Sequence, residues 1–243
     1  MPKKEGLSEQ LVTLDDPEWN PSAPRGEGVP RTVKRAVQTV PAHVRDAVGS
    51  IRTSQGEDGT ATRTVFRTPQ GIVPCVVTCL HVIPTKGSAR GGTFGSEDKL
   101  EPDRFFVTFR AHDLVVCALK GNATDKAWLC PRHWRKTWGS NNISILHHPN
   151  ASALSLTKGL VASHTMECFI HTANTLPGSS GGCVLIQAGD EWNWVGVHCE
   201  AITLDMGKSR IMPLNVGCTL GLVIDELHKD GIDCAVKRPP RRA

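Results

Sequence analysis

The sequence predicts an all-β protein built from two small β-barrels. Three observations carry this. Helical periodicity is scarce along the 243 residues. Short apolar or alternating runs recur instead between Gly, Pro, Asn and Asp breaks, as expected for strands closed by turns; examples are 62–67, 72–78, 104–109, 114–119, 143–146, 183–187 and 192–199. A chain of this length can also bury a substantial core in one or two units.

The elements follow in order. Residues 1–30 are rich in Pro, Gly, Glu, Asp and Lys without an apolar period, and read as a flexible segment. Between 31 and 52, Val33, Val37, Val40, Val44, Val48 and Ile51 recur at helical steps. This predicts an amphipathic helical extension, interrupted at Pro41, which starts a second short helix with Thr39 or Val40 near its N-cap. Its apolar face is expected to pack on the barrel; self-association through residues 33–51 is the sharper alternative. The first barrel is expected over 48–130. It contains a polar, glycine-rich excursion at 84–103, long enough to border a substrate cleft. The second barrel is expected over 131–230. It ends in a helix at 219–228, where Leu220, Val223, Ile224 and Leu227 stand three to four apart. A basic flexible tail occupies 231–243.

One run carries the chemistry. Leu176-Pro177-Gly178-Ser179-Ser180-Gly181-Gly182 places a serine hydroxyl in a turn of small residues, where backbone N–H groups can gather on one spot. Acyl transfer needs that pairing of a nucleophile with a preformed oxyanion site. Upstream, Thr78-Cys79-Leu80-His81 closes an apolar, β-branched run. Asp113 opens another, Leu114-Val115-Val116-Cys117-Ala118-Leu119. His112 is its neighbour and, on an extended chain, faces the other side.

In this order, His then Asp then Ser, the chain resembles the trypsin/chymotrypsin-fold serine peptidases over residues 45–230. Those enzymes carry Thr-Ala-x-His, an Asp at the head of an apolar strand, and Gly-x-Ser-Gly-Gly. The resemblance implies two packed six-stranded antiparallel β-barrels and the hydrolysis of peptide bonds through an acyl-enzyme. It assigns His81 as general base, Asp113 as the carboxylate orienting it and Ser180 as nucleophile. The N–H groups of Gly178 and Ser180 would form the oxyanion hole. No Ile-Val-Gly-Gly start is present, and the three motifs are compactly spaced. Both features are closer to intracellular, bacterial glutamyl and viral members than to secreted trypsins. Cys79 stands where many members have Ala, and Cys183 replaces the usual Pro.

The resemblance also implies a P1 (S1) pocket. Val195-Gly196-Val197-His198 would line it, with Thr175 placed five residues before the nucleophile, as in Glu-specific and Gln-specific members. A His N–H and a Thr hydroxyl can both donate to a carboxylate or carboxamide oxygen, so a P1 preference for Glu or Gln is expected. The alternative is a structural His198 and a pocket for bulky apolar side chains.

Three competing readings use the same residues. Gly178-x-Ser180-x-Gly182 also fits the nucleophile elbow of α/β-hydrolases, with Asp205 or Asp225 and His228 following. A latent or inactive protease-fold binding module is the main functional alternative to a serine endopeptidase. A non-peptide acyl substrate is compatible with the same triad.

Composition sets the remaining bounds. Net charge is +4, and the final seven residues carry four positive charges, leaving the rest formally neutral. Nucleic-acid binding by the body is therefore not expected, and any such role falls to the tail. Nine cysteines cannot all pair within the chain. Several lie in apolar runs, which predicts free thiols and an intracellular, cytoplasmic or nuclear setting. No secretory leader or membrane-length apolar run is apparent, so no membrane partner is expected. Cys75-x3-Cys79 and Cys130-x-x-His133 have ligand-like spacing, but no regular pair of Cys-x-x-Cys units accompanies them. No metal and no cofactor are expected, and the partner is a protein or peptide substrate.

Overall fold

A computed structural model of the chain describes residues 37–121, 126–135, 141–205 and 211–233, with the backbone alone at 203–205 and 211–213. The segment 1–30 and the basic residues 237–243 lie outside the described residues.

Thirteen strands form two sheets, and every ladder between named strands is antiparallel. The N-terminal sheet contains β1 (Val48–Arg52), β2 (Asp58–Thr68), β3 (Gly71–Cys79), β4 (Thr93–Phe94), β5 (Asp98–Lys99), β6 (Phe106–Phe109) and β7 (Leu114–Ala118), in the order β5-β4-β1-β2-β3-β7-β6. The C-terminal half contains β8 (Asn142–His147), β9 (Ser155–His164), β10 (Cys168–His171), β11 (Gly182–Ala188), β12 (Glu191–Asp205) and β13 (Ile211–Thr219). It closes as a six-stranded barrel, β10-β13-β12-β11-β8-β9. All seven strand-forming runs read from the sequence fall on these strands, with only residues 104, 105 and 119 outside them. The antiparallel architecture removes the α/β-hydrolase alternative, which needs a parallel sheet with crossover helices.

The N-terminal sheet has seven strands and curls into a half-barrel, where a closed six-stranded one was expected. The reason is local. β4 and β5 are two residues each, too short to extend a ladder, and the residue after β5 reaches β7's end through the single bridge Leu100–Leu119. The 84–103 excursion supplies β4, β5 and a capped turn of helix, Lys86–Ala89. It continues the sheet beyond β1 and does not line the active cleft, which corrects the expected role.

The N-terminal extension also differs from its expected form. Among the described residues Val37 is helical, and a turn at 38–40 leads to a second short helix, Ala42–Arg45, with Pro41 itself as N-cap where Thr39 or Val40 was expected; Val48 already begins β1. Val48 and Ile51 keep the helical spacing by coincidence: they pair with Thr62 and Gly59 of β2. β-branched side chains suit the pleated surface. Val37, Val40, Val44, Ala47, Val48 and Ile51 are all buried in the main core, the packed alternative of the two readings.

That core is continuous across the halves, joining Val76, Val77 and Cys79 to Leu146, Cys183, Leu185 and Val197. The C-terminal helix, Gly221–Lys229, buries Val223 and Leu227 against it. Among the described residues no helix is long and apolar enough to cross a membrane.

Candidate active site

His81 follows β3 in a turn whose first carbonyl, that of Cys79, accepts from Val82 and Ile83 N–H at 3.2 Å each. Asp113 caps the 3-10 turn Arg110–His112 in the left-handed region, φ 51°, just before β7. Asp tolerates this conformation better than most residues, because its short side chain bonds locally. β3 and β7 are paired neighbours, with Cys79 opposite Leu114, so their ends deliver the two side chains to one place. Leu80 N–H donates to the Asp113 carbonyl at 2.8 Å, tying the two turns together.

The carboxylate is fully engaged. Its Oδ1 accepts from the His81 backbone N–H at 2.9 Å, and its Oδ2 lies 2.6 Å from His81 Nδ1. An ionised carboxylate only accepts, so Nδ1 carries the proton and Nε2 presents a lone pair. The hydrogen bond that His81 donates to Asp113 is the main reason the His81 pKa is raised above its ordinary value; partial burial opposes it. The two side chains remain 48% and 37% exposed, open to the cleft.

Ser180 lies on the turn between β10 and β11. β2 holds this turn from the other half of the molecule. Thr60 N–H donates to the Ser180 carbonyl at 2.8 Å, and Thr60 Oγ1 donates to the Gly178 carbonyl at 2.9 Å. Gly181, at φ +87°, passes so close to β2 and β3 that a Cβ would lie 1.8 Å from the Thr60 carbonyl oxygen and 2.2 Å from Thr78 Oγ1. Only glycine fits there. Two neighbouring carbonyls are also engaged within the protein. That of Pro177 accepts from Asn150 N–H at 2.5 Å, and that of Ser179 from Gly182 N–H at 2.9 Å. With no cis peptide present, the N–H groups of Gly178 and Ser180 point opposite to those carbonyls.

His81, Asp113, Thr175, Ser180 and His198 all line one cleft of about 770 Å³ between the halves. The Ser180 hydroxyl donates to the Cys199 carbonyl at 3.1 Å. No hydrogen bond joins it to His81.

At this level of architecture the chain has known counterparts. The Rv3671c protease from M. tuberculosis, in its active form, matches with a TM-score of 0.57 and 17% identity over 93% of this chain and 98% of that one. The inactive form of the Rv3671c protease matches with a TM-score of 0.55 and 18% identity over 86% and 100%. An inactive serine-to-alanine mutant of Rv3671c from M. tuberculosis H37Rv matches with a TM-score of 0.54 and 16% identity over 78% and 89%. The fold is chymotrypsin-like. No protein-family model matches the chain, and no curated protein matches it in sequence.

The residues expected in the P1 pocket separate into two groups. Thr175 and His198 reach the cleft wall; Val195 and Gly196 do not. Val195 is buried in the barrel interior, and Gly196 packs under Phe169, where a Cβ would come within 2.7 Å of the ring. Thr175 Oγ1 donates to Asn215 Oδ1 at 2.5 Å, and Asn215 Nδ2 donates to the Ala173 carbonyl at 2.9 Å. His198 Nδ1 lies 3.3 Å from Nε2 of the fully buried His171. Burial is the main cause that lowers His198 to about 3 and His171 to about 4, so both are neutral near pH 7.

Several neighbours had no sequence signal. Arg110, Glu200, Cys168, Cys199 and Cys218 line the cleft. Buried His147 sits behind the nucleophile turn, its Nδ1 2.6 Å from Ser179 Oγ. Cys79, Cys117, Cys168, Cys183, Cys199 and Cys218 are free thiols.

Proposed function

We propose that this chain is a serine endopeptidase. Ser180 attacks the peptide carbonyl, His81 takes its proton through Nε2 and returns it to the leaving amine, and Asp113 holds the imidazole and steadies its charged form. The N–H groups of Gly178 and Ser180 receive the oxyanion, a role supported by the hydrogen bonds that occupy the Pro177 and Ser179 carbonyls. The observation that carries this reading is the doubly hydrogen-bonded His81–Asp113 pair, which shares one cleft with a serine on a glycine turn. The Rv3671c protease lends fold-level support. A protein or peptide is the substrate.

The P1 residue is Glu or Gln, recognised by His198 and Thr175 on the cleft wall. A neutral His198 offers a hydrogen bond without a charge, which places Gln ahead of Glu near pH 7. Thr175 has to turn its hydroxyl from Asn215 to donate to the substrate.

One observation favours a second reading, a latent site. The nucleophile's proton lies on the Cys199 carbonyl, so Ser180 must rotate before His81 can take it. Labelling with a fluorophosphonate probe tests both. Labelling of wild type that is lost in Ser180→Ala and in His81→Ala supports the active triad. Unlabelled, folded wild type supports latency. A P1-diversified peptide library tests specificity, and a bulky apolar preference unchanged in His198→Ala would remove the Glu/Gln assignment.

A further inference from the structure

Cys79 contributes nothing to the triad chemistry, yet it stands directly behind it. Its Sγ, a ring nitrogen of His81 and a carboxylate oxygen of Asp113 all lie within 4.8 Å of one another. Of the two ring nitrogens, Nδ1 is the one that faces Asp113 Oδ2, at 2.6 Å. We propose that Cys79, His81 and Asp113 form a binding site for a thiophilic divalent cation such as Zn²⁺, and that occupancy switches the catalytic pair off.

Three features of the set suit such an ion. It offers one sulfur, one imidazole nitrogen and one carboxylate oxygen, the mixture that zinc accepts in tetrahedral geometry. Bonds of about 2.3 Å to sulfur and about 2.0–2.2 Å to nitrogen and oxygen place ligand atoms roughly 3.3–3.8 Å apart around one centre. To reach this spacing the 2.6 Å His81 Nδ1–Asp113 Oδ2 contact opens and its hydrogen bond is given up, while Cys79 Sγ turns from the His198 carbonyl, 3.3 Å away, toward the ion. The fourth position opens to the cleft, where His81 and Asp113 are partly exposed and where water or a substrate group can enter.

The charges and protons balance. The dication meets one thiolate and one carboxylate, so the bound set is neutral overall, the condition under which burying an ion is tolerated. Cys79 releases its thiol proton to solvent. His81 keeps one proton, which moves from Nδ1 to Nε2 as Nδ1 takes the metal. No electrons are exchanged.

The consequence follows from the tautomer. With a proton on Nε2, His81 can only donate toward Ser180 and can no longer accept the serine proton. The same ion also occupies the Asp113 oxygen that held Nδ1. Further soft donors lie nearby: Cys199 and Cys218 line the same cleft. This favours thiophilic ions over Mg²⁺ or Ca²⁺, which take oxygen ligands.

The loss of function rests on the peptidase reading above; the binding does not. The test therefore has two readouts, on reduced full-length wild type, Cys79→Ala and Cys79→Ser. Titration with Co²⁺ or Cd²⁺ reads metal–thiolate charge-transfer absorption. Fluorophosphonate labelling with and without Zn²⁺ reads the nucleophile, each variant referenced to its own metal-free rate. Wild type is expected to develop one equivalent of thiolate absorption with affinity at least about tenfold above either variant, and only wild type should lose labelling at low Zn²⁺. Absence of that absorption in wild type, or equal metal binding and equal Zn²⁺ sensitivity in Cys79→Ala and Cys79→Ser, overturns the site. Metal-free wild type that does not label counts against the peptidase reading, and the absorption titration then still decides the site.

Discussion

His147 Nδ1 lies 2.6 Å from Ser179 Oγ, one residue before the nucleophile. Ser179 Oγ also accepts from Leu176 N–H at 3.0 Å. The serine proton is thus free for His147 Nδ1, and His147 Nε2–H faces Thr157 Oγ1 at 3.4 Å. A buried relay therefore fixes the turn that presents Ser180. Ser179→Ala strands the Leu176 N–H and the His147 nitrogen. It is expected to cost about 1–3 kcal/mol in denaturant unfolding and to slow fluorophosphonate labelling without abolishing it. Labelling and stability equal to wild type would remove the positioning role.

Three buried histidines make stability depend on pH. Burial holds His147 at about 4, His171 at about 4 and His198 at about 3, against about 6.5 in an unfolded chain. The unfolded chain then binds more protons over this interval. Stability is fully present above about pH 6.5 and is lost as pH falls toward 4. For His147 alone the loss is on the order of 3 kcal/mol. Urea unfolding at stepped pH should show it, with a smaller slope in His147→Gln.

The His81–Asp113 bond makes activity depend on pH in the same direction. The reactive form of His81 is neutral, and Asp113 raises its pKa. Labelling should therefore fall with acid through a midpoint above about 6.5. Asp113→Asn should move that midpoint down and cut the rate on the order of 10⁴-fold, since the wrong tautomer is then favoured. The stability contribution has the opposite course: a raised folded pKa stabilises fully below about 6.5 and fades as pH climbs through the folded value.

Gly181→Ala tests the junction between the halves. The new Cβ would meet backbone at Thr60 and a side-chain oxygen at Thr78, in a positive-φ conformation. A loss of more than about 3 kcal/mol in thermal or denaturant unfolding is expected. Gly189, also at positive φ but with nothing within 4 Å, is the control and should lose less.

The triad candidates were legible because each sits in its own local pattern. A Thr-x-x-His strand end, an Asp at a strand head and a glycine-framed serine are contiguous signals, and β3–β7 pairing needs only neighbouring apolar runs. Thr175 and His198 carried weaker signals, and the structure brings both to the cleft. Val195 and Gly196 were assigned to the wall by the resemblance of the 195–198 run to a pocket-lining strand. The pleat and the β12 bulge decided otherwise, sending Val195 into the barrel. The N-terminal valines illustrate the converse error, since a three-to-four spacing of β-branched residues serves a turn, a short helix and then a strand.

By itself the sequence determined the all-β class and nominated three residues suited to acyl transfer, because strand periodicity and turn chemistry are local. Only the tertiary structure decided that one half closes and the other stays a half-barrel. It alone placed Thr60 beneath the nucleophile turn, His147 behind Ser179 and Cys79 against His81 and Asp113. These contacts join residues remote along the chain, through packing and hydrogen bonds that no short window of sequence contains.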